Sequence, residues 1–138
     1  MAEDSQTPAK PLPEPDDASR PFYDGAMEGR LVMMRCNACG TWRAPARMHC
    51  DSCLSTDTRW EQTSGAGTVR SFGIMHQRYH PAFAADIPYN VAIVELAEGP
   101  RLVTNIVGIS NEAIRVGMPV VVEFERHEDV ALPKFRPR

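Results

Sequence analysis

From Gly65 onward the apolar residues fall in short runs separated by turn residues, the pattern of a small all-β domain. The runs are Val69 to Arg78, Tyr89 to Leu96, Arg101 to Ile109, Val120 to Arg126 and Val130 to Phe135. Glu98-Gly99-Pro100 marks a turn after the second run, and a turn or short helical piece at Asn111 to Arg115 precedes Gly117 and Pro119. Gly73 interrupts the first run and predicts a bulge or bend there. Five strands with one longer connection between the third and fourth predict a Greek-key barrel of the OB type. An SH3-like barrel or an open meander satisfies the same pattern, so periodicity leaves the topology open.

The pattern differs upstream. Pro21 to Leu31 carries Phe22, Ala26, Met27 and Leu31 at roughly helical spacing, with Pro21 suited to a first-turn position. Gly25 and Gly29 weaken such a helix, so it needs a surface to dock on, either as an edge helix of the core or as a reach toward a partner. Residues 32–62 predict a strand, a return through Trp42 and Pro45, and an exit strand near Trp60, with both tryptophans packed around this unit. Residues 1–19 hold Pro8, Pro11, Pro13 and Pro15 among acidic and small polar residues, a composition that predicts a disordered or extended arm. The expected division is an arm (1–19), a helix with its lead-in strand (20–34), a ribbon (35–63) and a barrel (64–138).

The ribbon contains the only four cysteines, Cys36 and Cys39, then Cys50 and Cys53, in the spacing C-x2-C-x10-C-x2-C. Each pair sets two thiolates on one tight knuckle, and two knuckles supply the four sulfurs of a tetrahedral site. Iron in a rubredoxin-like centre takes the same ligands, so zinc is favoured but not fixed by spacing. Four thiolates leave no open position for water or substrate, which makes the predicted role structural. So short a ribbon has no core of its own, and structural zinc supplies on the order of 10 kcal/mol or more. The N-terminus lacks a basic stretch followed by an apolar segment, which argues against secretion and disulfides and predicts a cytoplasmic protein. His49, beside Cys50, is expected on the ribbon surface.

Charge changes the picture in two places. The net charge is -3, and the five acids and two bases of residues 1–20 account for it, so the remaining body is neutral. A general nucleic-acid binder carries a basic excess on its folded body, and an aromatic content of 7% adds little stacking surface. No apolar run is long enough for a transmembrane helix. Locally, no acid occurs between Glu61 and Asp86, while Arg70, His76, Arg78 and His80 all do, together with Tyr79 and Phe83. This cationic, aromatic segment at the end of the first barrel strand enters a long loop, Tyr79 to Pro88. Its arginines suit phosphate oxygens and its rings suit adenine or a partner side chain. The structural alternative has Arg70 facing solvent, the histidines bonded locally and Phe83 capping the barrel. Glu123, Glu125, Glu128 and Asp129 read as a solvated face with His127 among them, and Lys134 to Arg138 as a frayed basic terminus.

The ordered string of motifs resembles a known family. It runs Pro21-Phe22-Tyr23, Cys36-x-x-Cys39-Gly40, Cys50-x-x-Cys53, Gly65-x-Gly67-Thr68-Val69, Gly99-Pro100-Arg101-Leu102, Gly117-Met118 and Leu132-Pro133-x-Phe135. In this it is similar to the acyl-CoA-associated proteins built from an N-terminal helix, a rubredoxin-like zinc ribbon and an OB-fold. The likeness spans residue 20 to the C-terminus. It implies a non-catalytic subunit in a hetero-oligomer with a thiolase-fold enzyme (thiolase or aldolase) or a hot-dog-fold enoyl-CoA hydratase. It further implies a surface that helps accept coenzyme A esters. The residues themselves are scattered as acid–base candidates, the cysteines are committed to metal, and no nucleophile elbow is present. A single-stranded nucleic-acid-binding module and a stand-alone acyl-CoA-binding protein remain the alternative functions.

Overall fold

In a computed structural model, residues 8–138 are described. Residues 8–15 carry no helix or strand; the part of the arm before them lies outside the described residues. Lys10 ties this segment to the barrel, 2.6 Å from Asp86 and 5.5 Å from the centre of the Phe83 ring. Helix α1 (Arg20–Met27) follows, with Pro21 in its first turn, and ends earlier than the spacing predicts. The chain reverses there: the Arg30 N–H returns to the Gly25 carbonyl at 2.8 Å, and Leu31 is buried outside the helix. Gly25 and Ala26 face inward, so α1 docks on the body as an edge helix.

The ribbon is a three-stranded antiparallel sheet in the order β2-β1-β3, from β1 (Val32–Cys36), β2 (Trp42–Arg43) and β3 (Thr58–Gln62). Thr63 then donates twice to the Leu31 carbonyl, through its N–H and its hydroxyl, both at 2.9 Å, and this holds the exit of the ribbon beside its entry.

The barrel is built from β4 (Ala66–Met75), β5 (Tyr89–Leu96), β6 (Arg101–Thr104), β7 (Pro119–Arg126) and β8 (Ala131–Pro137) in the order β6-β5-β4-β7-β8. The sheet curls until its two ends meet in a short parallel bridge between Ile106 and Phe135. This is a mainly β protein with a five-stranded barrel of OB type, as the runs predicted. In β5 every second residue is buried, as in a strand with one face turned inward. Leu31 and Met33 join Val69, Val94, Leu96, Ile106 and Phe135 in one core, so ribbon and barrel share their apolar interior.

Five expectations shift. The bulge in β4 falls at Arg70, between Val69 and Ser71, while Gly73 pairs in register with Val91. Strand β4 ends at Met75 rather than Arg78, and β6 stops at Thr104, well short of Ile109. The loop after β4 contains a short 3₁₀ helix, Pro81–Asp86. The basic tail is no frayed end: β8 pairs with β7 from Ala131 to Pro137, and the Arg138 N–H reaches the Pro119 carbonyl at 3.1 Å.

A four-sulfur centre and an apolar groove

The two knuckles are near copies of one another. In the first, Cys36 receives the Gly40 N–H on its carbonyl at 3.0 Å; in the second, Cys50 receives the Leu54 N–H at 2.9 Å. Both closing residues have positive φ, +79° at Gly40 and +66° at Leu54. Glycine takes that conformation freely, whereas a leucine there is strained. The knuckles bring the four cysteine sulfurs within 4.8 Å of one another. Cys36 and Cys53 Sγ are 3.7 Å apart, and Cys39 and Cys50 Sγ 3.6 Å. A tetrahedral zinc with Zn–S bonds of about 2.3 Å places its sulfurs about 3.8 Å apart, so the donor set fits zinc in both chemistry and size. These cysteines form a structural zinc site.

The electrostatics fit the same reading. The Cys39 N–H, followed by the Ala38 N–H and the Arg43 side chain, draws the Cys36 thiol down to about 6 against the opposing effect of burial. Cys50 is also lowered, first by the Cys53 N–H. The Ser55 N–H pulls Cys53 down, but the neighbouring Cys39, Cys36 and Cys50 thiols and burial outweigh it and push the group up to about 11. Sulfurs this close resist ionising together without a cation among them.

Sequence reasoning missed Arg43. Its side chain is only 2% exposed, and it binds three carbonyls of the loop carrying the second cysteine pair: Arg47 at 3.2 Å, Met48 at 2.9 Å and Ser55 at 2.6 Å. Its Nε is buried without a hydrogen-bond partner among the described residues. Arg35 and Arg59 add charge around the first knuckle. Arg35 donates to the Gly40 carbonyl at 2.8 Å and lies over Trp42, and Arg59 donates to Asn37 Oδ1 at 2.7 Å. Both also pair with Glu61, at 3.0 and 3.1 Å, so Arg43 is the one guanidinium of the three with no carboxylate partner among the described residues, beside a centre whose zinc-bound form carries two negative charges. His49 is exposed, as expected of a ribbon surface residue.

The cationic, aromatic segment lies elsewhere. Arg70, His76, Arg78 and Tyr79 are exposed, Tyr79 by 68%. His80 turns inward: its Nδ1 accepts the Ala82 N–H at 3.0 Å and starts the 3₁₀ helix. Phe83 is half-buried, 5.9 Å from the His80 ring and 6.3 Å from Tyr89. Arg78 and Tyr79 are thus presented outward, while His80 and Phe83 help hold the loop that presents them.

None of those six residues lines the main concavity, a groove of about 780 Å³ where helix, ribbon and barrel meet. Phe22 and Tyr23 of α1 form one wall, Met34 and Trp60 of the ribbon another, and the outer faces of Val91 and Ile93 on β5 the floor. Among the described residues, charge enters this apolar surface only as Arg43, Arg101 and Lys134, and no carboxylate lines it. Arg101 pairs with Glu95 at 3.1 Å, outside the lining, and Lys134 donates to Asn105 Oδ1. The apolar runs predicted a β-rich core but gave no sign of this outer concavity, because its walls come from distant segments. Among the described residues no helix is long and apolar enough to cross a membrane.

Comparison with known proteins adds the lineage. Residues 24–59 match "ChsH2, rubredoxin-like zinc ribbon domain" and residues 60–125 match "ChsH2, C-terminal OB-fold domain". The chain is 45% identical over 117 residues to a probable enoyl-CoA hydratase alpha subunit of Thermomonospora curvata, covering 84% of this chain but 36% of that protein. It thus spans about a third of that relative's length. It is 35% identical over 97 residues to a DUF35 domain-containing scaffold protein of Methanocaldococcus jannaschii, covering 70% of this chain and 68% of that one. Among solved structures, the complex described as "Ltp2-ChsH2(DUF35) aldolase" contains a chain that superposes with a TM-score of 0.81. That match has 42% identity and covers 91% of this chain and 98% of that one. The chain belongs to the ChsH2 (DUF35) family of rubredoxin-like zinc ribbons joined to an OB-fold.

Proposed function

We propose that the protein is an accessory subunit of an acyl-CoA enzyme complex, docking a catalytic subunit that carries out the chemistry. One observation carries the reading: the whole helix–ribbon–barrel unit matches, over nearly its full length, a chain of an aldolase assembly. The relative called a hydratase alpha subunit supports the same class of complex. The zinc centre fits a structural role, since its four thiolates close the coordination sphere. The partner class is a thiolase-fold aldolase or thiolase, or a hot-dog-fold hydratase, in a cytoplasmic hetero-oligomer. The exposed Arg78 and Tyr79, held by the loop built on His80 and Phe83, are proposed to meet the partner or the phosphates and adenine of a coenzyme A ester. Arg70 and His76 flank them. The proposed division of labour follows the four segments, with the arm at 1–19, helix and lead-in strand at 20–34, ribbon at 35–63 and barrel at 64–138.

The test is co-expression with genes adjacent on the chromosome, then mass spectrometry of what co-purifies. The expected result is a thiolase-like or hydratase-like protein in stoichiometric amount, with acyl-CoA turnover by the complex and none by the isolated chain. Recovery of the isolated chain as a stable, partner-free protein that turns over acyl-CoA would refute the reading. Arg78→Ala is expected to weaken assembly or raise the KM for the acyl-CoA; unchanged values remove Arg78 from the site.

A further inference from the structure

The barrel is closed on one side of its seam and open on the other, and the hydrogen-bond register shows why. The Leu96 N–H meets the Pro100 carbonyl at 2.8 Å at the turn between β5 and β6, and the register then runs Glu95 with Arg101, Val94 with Leu102, Ile93 with Val103 and Ala92 with Thr104. Antiparallel partners alternate between exchanging hydrogen bonds and not. Leu102 and Thr104 therefore bond to β5, while Arg101 and Val103 direct their N–H and C=O groups away from it. Asn105 and Val107 continue that outward parity. There the seam is zipped, with the Phe135 N–H on the Asn105 carbonyl at 3.1 Å and the Val107 N–H on the Phe135 carbonyl at 2.8 Å.

Two residues back along β8 stands Pro133, which has no N–H to give. The Val103 carbonyl, next in line, receives no donor from β8, and the Pro133 carbonyl takes the Thr104 hydroxyl instead at 3.0 Å. Beyond this point no strand pairs with the outer edge of Arg101 to Val103 among the described residues. That edge opens into the apolar groove. Val103 is 68% exposed on it, and Arg101 and Lys134 stand at either side with no carboxylate in the lining among the described residues.

An unpaired edge with an exposed apolar side chain is a template for another strand. Outward amides at alternate residues call for an extended backbone. Arg101 is already paired with Glu95, but Lys134, held only by the Asn105 amide oxygen among the described residues, calls for a carboxylate, and the apolar walls call for alternating apolar side chains. We propose that an extended, carboxylate-bearing segment of the catalytic subunit docks here by adding as a strand to β6. Pro133 keeps the seam from closing over the site. This rests on the accessory-subunit reading and names the surface that reading lacks.

The experiment uses the full chain and the thiolase-like or hydratase-like subunit that co-purifies with it. Affinity is measured by calorimetry, and hydrogen exchange is followed in the peptide spanning residues 101–104. Val103→Pro removes an N–H that β5 does not use; it is expected to weaken assembly about tenfold or more, with zinc content and melting of the isolated chain unchanged. Lys134→Glu, on the groove wall, is expected to weaken assembly by a similar factor, and it decides the matter if Val103→Pro fails to fold. Pro133→Val supplies the missing donor opposite the Val103 carbonyl; it is expected to raise the Tm of the isolated chain and weaken assembly. Exchange at 101–104 slows on assembly.

A complex that forms with unchanged affinity in all three variants, with exchange at 101–104 unaltered, overturns the strand-addition site and leaves the accessory role standing. Slowed exchange with a coenzyme A ester alone overturns it in favour of a small-molecule site. Slowed exchange on raising the concentration of this chain alone overturns it in favour of self-association. Failure of any complex to form removes both readings.

Discussion

Replacing Arg43 by Met keeps most of the buried side-chain volume and deletes the guanidinium that spans the ribbon. Three charge-assisted hydrogen bonds are lost, to the carbonyls of Arg47, Met48 and Ser55. At roughly 1.5 kcal/mol each these sum to about 4–5 kcal/mol. Relief of the desolvation cost of a buried cation returns part of that, leaving a net loss of about 3 kcal/mol. Solvent does not screen these bonds, because the side chain is 2% exposed. The loss falls on the loop that carries Cys50 and Cys53, so it is read in the metal: zinc affinity is expected to drop about 100-fold. Competition against a chromophoric chelator measures it, with Arg43→Lys, which keeps the charge but not the fork, falling between the two. An Arg43→Met protein that holds zinc within a few-fold of wild type, with an unchanged unfolding midpoint, would refute the reasoning and reduce Arg43 to a space-filling residue.

Cys39→Ser is expected to release zinc and unfold the ribbon while the barrel keeps part of its β-sheet circular dichroism; stoichiometric zinc by elemental analysis would contradict the assignment. Zinc uptake at neutral pH should release protons, because Cys53 is held protonated up to about 11. Zinc affinity should therefore rise with pH, and should fall further as pH drops through about 6, where Cys36 takes up its own proton. Chelator competition across that range checks the sign. Gly67→Ala sets a methyl 2.6 Å from the Glu95 carbonyl oxygen, a backbone atom fixed by the sheet, and 2.8 Å from Val94 Cγ1. It should destabilise the barrel by about 1–3 kcal/mol in denaturant unfolding. Leu54→Gly relieves the positive φ of the second knuckle while losing little packing, since Leu54 is 73% exposed, and should slow zinc loss to a chelator.

How much was legible depends on how far apart the interacting residues lie. The cysteine pairs were readable because each knuckle is local, closing on a carbonyl four residues back. β5 was readable to the residue because it is a compact apolar run, Val91 to Val94 at its centre, closed by the Glu98-Gly99-Pro100 turn. β4 was harder. Its register shift at Arg70 leaves no mark in residue type, whereas Gly73, which suggested a bulge, sits in regular pairing with Val91. The tail from Lys134 was misread for a related reason: its charges looked solvated, but its backbone pairs with β7, a partner that composition does not reveal.

The sequence by itself determined the four-thiolate centre and a β-rich body of short runs set off by turn residues, because ligand spacing and turn-bounded apolar runs are short-range properties of the chain. It also displayed Pro133, Val103 and Arg43 without disclosing what they do. Only the tertiary structure decided that Arg43 is buried against the second knuckle, and that Pro133 lies just before the Ile106–Phe135 bridge with its carbonyl on the Thr104 hydroxyl, where the seam stops pairing. Whether a missing N–H matters depends on which carbonyl faces it. That is fixed by how the curled sheet brings its two ends together.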